Sequence, residues 1–138
     1  MKNTLFSLIS LFFILLVAAC GPSNRSIEEA SLKQLMAIHD STMSHSGYLI
    51  PFQDTLRKII DNPKVAEVDR KMADSLITQL SVSDKLMYDW MHNYKSDFSV
   101  GKDHDYIMKY LDSEITKMKF VEKKTDDNLA AARKFLKK

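Results

Sequence analysis

Scarcity is the first signal in this sequence. It holds one cysteine, three glycines and three prolines among 138 residues. Ordinary usage is roughly 7 % glycine and 5 % proline, so the turns of a sheet protein would be short of both, and the composition leans all-helical. A single cysteine excludes a disulfide framework and any cysteine-based zinc site. Twenty Lys+Arg against 18 Asp+Glu leave a formal charge of +2. That balance excludes a strongly basic nucleic-acid binder and an acidic tail protein, so no nucleic acid is expected as a partner. With so little glycine a phosphate-cradling loop has no material, and neither Gly-x-Ser-x-Gly nor His-Glu-x-x-His occurs. The expectation is a chain that is not an enzyme.

What is present begins with an address. Lys2 precedes an uncharged, mostly apolar run from Leu5 to Ala19. A membrane span needs about 20 apolar residues, whereas the apolar core of a secretory signal peptide takes roughly 7–15. The run ends in Val17-Ala18-Ala19-Cys20. Small residues before a cysteine resemble the lipobox of bacterial lipoproteins. That resemblance implies a diacylglycerol on the Cys20 thiol, cleavage before Cys20, and acylation of the new amino group. Two or more chains anchor stably, because each buried CH₂ contributes about 0.8 kcal/mol. Gly21 rather than Asp follows the cysteine, which by the same resemblance favours the outer membrane; both leaflets stay open, and a periplasm-facing domain is the expectation. The expected organisation is a signal peptide over 1–19, a lipidated tether over 20–25, and a helical domain over 26–138.

The domain reads as helices throughout. Ser26-x-x-Glu29 has capping-box spacing and predicts a helix start. Leu32, Leu35, Met36, His39 and Met43 then fall on one helical face. Ser46-Gly47 and Pro51 mark a break or kink, after which Leu49, Phe52, Leu56, Ile59 and Ile60 resume the spacing. One kinked helix and two helices over 26–60 both fit. Asn62-Pro63 suits an N-cap and first helical position. Val65, Val68, Met72, Leu76 and Leu80 form the next stripe, and Ser81-Val82-Ser83-Asp84 predicts a stop and restart. Met87, Trp90, Met91, Tyr94 and Phe98 follow, closed by Ser99-Val100-Gly101. Leu111, Ile115, Met118, Glu122, Thr125, Leu129, Ala132 and Leu136 make a heptad-like seam. Its middle is weak, and Thr125–Asn128, all poor interior helix formers, predict a break there. One-faced helices must bury their stripes on each other. The fold expected is all-α: an antiparallel three- or four-helix bundle with a coiled-coil-like C-terminal helix.

Met36-Ala37-Ile38-His39-Asp40 and Asp84-Lys85-Leu86-Met87-Tyr88-Asp89-Trp90-Met91-His92, with Ala73-Asp74 before the second, resemble a family of small, uncharacterised Bacteroidota lipoproteins often labelled "viral A-type inclusion protein". The resemblance implies an envelope location and a helical shape, and no reaction. The chain departs from that family's pattern at Ser41, Ser44, His45 and Ser46.

Two groups of residues carry candidate chemistry. Met36, His39 and Met43 share one helical arc, and Met87 and Met91 lie one turn apart on another. Thioether and imidazole suit Cu(I), so these five form a candidate copper site, set against the commoner use of Met as a core filler. His39 sits mid-stripe, where its ring nitrogens need partners. His104 falls near the apolar face of the last helix. Adjacent pairs such as His39-Asp40 are not expected to face each other. Tyr88, Asp89 and His92 form a candidate partner surface. The leading expectation is a non-catalytic, lipid-anchored envelope module that binds or scaffolds through its helical surface. It would hold the membrane through Cys20 and engage an envelope protein or a second copy of itself. The alternatives are a periplasmic Cu(I)-binding protein and a structural coiled coil that self-associates through the C-terminal seam.

Overall fold

The computed structural model describes residues 21–137. The expected signal peptide over 1–19 and the expected lipidation residue Cys20 lie outside the described residues. Four helices follow in chain order: α1 Asn24–Ser46, α2 Leu49–Ile60, α3 Glu67–Asn93 and α4 His104–Leu136. There is no strand among the described residues. At 1.5 Å per residue, α4 is about 50 Å long and runs the length of the molecule.

The helices form three rods. Glu28 near the start of α1 meets His104 at the start of α4, and His45 near its end meets Asp126. These two helices therefore run side by side in the same direction. Trp90 of α3 meets Glu114, and Gln79 meets Asn128, so α3 runs the opposite way. Helix α2 carries on from α1 and completes the first rod. The bundle is thus up–down–up, with the first rod broken.

Local chemistry explains the boundaries. Ser23, rather than Ser26, caps α1: its side chain accepts from the Ser26 N–H, while the Ser26 hydroxyl donates back to the Ser23 carbonyl. The first rod is two helices. Gly47 and Tyr48 keep right-handed dihedrals, and the Tyr48 N–H bonds the His45 carbonyl in a tightened turn. Pro51, in the first turn of α2, has no N–H to continue the α1 ladder. Asn62 and Pro63 do not begin a helix. The Asn62 side chain accepts from the Lys64 N–H in a turn, and α3 starts only after Ala66.

The expected interruption at 81–84 is absent. Helix α3 runs through it, and its serine hydroxyls are satisfied within the helix by carbonyls one turn back: Ser81 by Ile77 and, weakly, Ser83 by Gln79. The expected break at 125–128 is also absent. Asn128 is used across the interface, donating to the Gln79 carbonyl and the Ser83 hydroxyl. Tertiary partners here override poor propensity.

Two apolar cores occupy the two halves. One joins Leu35 of α1 with Met87 and Trp90 of α3, Phe98, and Leu111, Ile115, Met118 and Val121 of α4. The other joins Leu49 and Leu56 of α2 with Ala73, Leu76 and Leu80 of α3, and Leu129 and Ala132 of α4. Between them lies a narrow polar waist of Thr42, Ser83 and Thr125, one from each rod, all fully buried. Small side chains at this level let the rods approach where the first rod is interrupted.

Burial corrects several assignments. Val68 and Met72 are exposed, because α3 turns Ala73, Leu76 and Leu80 toward α2. Phe98 is buried as a core residue, yet it lies in the loop after α3, which ends at Asn93. In α4, Val121 takes the core position that the heptad assigned to Glu122. Leu111, Ile115, Met118, Thr125, Leu129 and Ala132 of the seam are buried within the chain by the other rods.

Candidate functional site

Three places on this scaffold collect chemistry. The largest is a groove of about 620 Å³ between α3 and α4, walled by Leu86, Trp90, Phe120 and Val121, with Asp89, Asn93, Thr116 and Lys117 around it. Its floor is built with care. Glu114, 5 % exposed, accepts from the Trp90 indole N–H at 2.9 Å and from Lys117 at 2.7 Å. A carboxylate buried without partners would cost several kcal/mol. These two donors are what keep it in place, and in return the carboxylate fixes the indole ring.

An aromatic chain supports that ring from behind. Trp90 stacks on Tyr94 at 5.1 Å, Tyr94 meets Phe98 and Tyr110, and Phe98 stacks on Tyr110 at 4.8 Å between centroids. The Tyr110 hydroxyl accepts from the Lys95 N–H, tying the loop to α4. Burial, followed by the neighbouring Tyr110 and Glu114, raises the Tyr94 phenol above its ordinary value of 10.0. Burial raises Tyr110 as well, with its bond to Lys95 working against the rise. In contrast Phe120, on the groove wall, is 53 % exposed.

The second place is a groove of about 380 Å³ between α1 and α3, lined by Met43, Met87 and Met91 together with Asp84 and Tyr88. Of the five residues expected to share a copper site, the fold brings these three together. Met36 does not join them and packs against the first core. His39 is also absent from this groove. Its ring lies 5.4 Å from Trp90, and its Nδ1 bonds Asp40 Oδ1 at 3.0 Å. That neighbour bond corrects the expectation that His39 and Asp40 would not meet: both side chains bend along the helix surface.

The third is a recess of about 460 Å³ beside the α1–α2 break, with Tyr48, Arg133 and the His45–Asp126 pair, whose atoms are 2.7 Å apart. His104 is not in any of these grooves, because Glu28 holds its Nδ1 at 2.7 Å.

The candidate partner surface is split by the helix. The Tyr88 and His92 rings lie near-parallel with centroids 6.2 Å apart. Asp89 lines the α3–α4 groove and pairs at 2.7 Å with Lys85, which lines the methionine groove. Sequence reasoning missed Glu114, Phe120 and Val121. Glu114 had a signal: it lies three residues after Leu111 and four before Met118, inside the buried arc. Among the described residues no group of three or more His, Cys, Asp or Glu stands close enough to hold a metal ion. No protein-family model, curated protein or solved structure matches this chain.

Proposed function

We propose that this chain is a non-catalytic binding module of a bacterial envelope, held to the membrane by lipid on Cys20, and that it takes an amphiphile with one aliphatic chain in the α3–α4 groove. The observation that carries this reading is the groove itself. Its volume of about 620 Å³ lies within the range of about 300–1,000 Å³ typical of small-molecule sites. Its walls are aliphatic and aromatic, and its polar atoms are few. A rigid indole at the floor, fixed by Glu114, makes the surface pre-formed and lowers the ordering cost of binding.

Location supports the same ligand. The lipobox pattern at Val17–Cys20 and the two motifs that resemble Bacteroidota lipoproteins favour an envelope membrane, most simply the outer one. Helix α1 begins four residues after Cys20, so a lipidated Cys20 would hold that end of the bundle close to lipid. The groove lies in that half. No helix among the described residues is long and apolar enough to cross a membrane.

Trp90 is the only tryptophan in the chain, so no other indole contributes to the fluorescence of the groove floor. A soluble chain beginning at residue 21, which retains both cores, is titrated with a long-chain fatty acid below its critical micelle concentration. The expected result is a saturable blue shift that Phe120→Glu abolishes while the helical circular dichroism signal is kept. A flat titration, or the same curve in Phe120→Glu, overturns the reading.

A further inference from the structure

We infer that Met43, Met87 and Met91 form a three-thioether site for Cu(I) in the groove between α1 and α3. Met87 and Met91 stand one turn apart on α3, and Met43 faces them from α1, all lining one groove. Met87 is 2 % exposed and forms the inner end, whereas Met43 and Met91 are 41 % and 42 % exposed at the rim. The three are thus graded from buried to accessible, as an entry path requires. A thioether is a weak acceptor for ordinary hydrogen bonds but a good ligand for soft, monovalent copper.

The rim favours a cation. Asp84 lines the same groove and makes no hydrogen bond or ion pair among the described residues, while Lys85, which also lines it, is paired with Asp89 at 2.7 Å. The exposed Tyr88 ring adds a π face at the entrance. Divalent hard ions find only one carboxylate here, and zinc lacks its usual nitrogen and thiolate donors. Met36 and His39 take no part, because the first is packed in the core and the second is engaged by Trp90 and Asp40.

The site is independent of the amphiphile groove on the other side of α3, and each can fail without the other. The test is an anaerobic competition titration of Cu(I) between the full chain, in non-ionic detergent, and a chromophoric chelator. One Cu(I) per chain is expected. Leu replaces Met with nearly equal volume, a swap that usually costs less than about 1.5 kcal/mol, so Met43→Leu and Met91→Leu keep the fold and delete only sulfur. Each is expected to weaken binding at least tenfold, and Met87→Leu to do the same. Met72→Leu, Met108→Leu and His39→Ala are expected to leave it unchanged. Retention of no Cu(I) against the chelator overturns the site. So does undiminished binding in the triple variant Met43→Leu/Met87→Leu/Met91→Leu, which would place any bound copper elsewhere.

Discussion

Glu114 is the residue whose removal tests the physical account most sharply. Its carboxylate is buried yet receives the Trp90 indole N–H at 2.9 Å and Lys117 at 2.7 Å. Lys117 is 59 % exposed at its side chain, so that pair is screened and worth about 0–1 kcal/mol. The indole bond is different. It joins a charged acceptor to a buried donor, a class that contributes roughly 1.5–3 kcal/mol and strands the donor when cut. Glu114→Ala is therefore expected to destabilise by about 2–4 kcal/mol. Glu114→Gln keeps an oxygen for the indole but gives up its charge as well as the lysine attraction, so about 1–2 kcal/mol is expected, less than for Ala. A double-mutant cycle with Trp90→Phe isolates the bond, and its coupling energy should be about 1.5–3 kcal/mol. The assay is urea unfolding followed by far-ultraviolet circular dichroism, because the cycle removes the chain's one tryptophan. A coupling below about 0.5 kcal/mol, or equal losses for Gln and Ala, would refute the claim that Glu114 fixes the groove floor.

Three further outcomes are expected. Thr125 is fully buried and its hydroxyl has no hydrogen-bond partner among the described residues, so Thr125→Val should raise unfolding free energy by about 1 kcal/mol in the same urea assay; a loss of that size would show that the hydroxyl is bonded. Tyr94 and Tyr110 have folded-state values raised above 10.0. For an acid so raised, the native state prefers the neutral phenol, so the stabilisation is whole below the unfolded value and is lost as pH climbs through the folded one. Stability should thus fall as pH rises beyond about 10, less so in Tyr94→Phe, and an alkaline series of unfolding curves with identical slopes for both proteins would contradict it. Gly101 adopts φ +69° in open space, so Gly101→Ala meets no clash and should lose about 1–2 kcal/mol from backbone strain alone, with Gly101→Asn losing less; unchanged melting of the Ala variant would show that the loop relaxes freely.

The sequence by itself determined the class of fold. Scarce glycine and proline, one-faced stripes and the absence of alternation leave only helices, and one-faced helices must pack. It also placed most of the core, because burial at Leu35, Leu56, Leu80, Leu111, Met118 and Leu129 follows from spacing alone. Tertiary structure decided the rest. Whether Ser81–Asp84 and Thr125–Asn128 break a helix depends on partners from another rod, and Ser83 and Asn128 find theirs across the α3–α4 interface. Periodicity gives the face of a helix only to within about one residue. A turn of that size sends Thr42 into the waist and Met43 into a groove, Val121 inward and Glu122 toward the edge. For the same reason the five expected copper ligands separate into three that meet and two that do not. A site is built from residues far apart in the chain, and only the rotation and register of the rods decide which of them come together.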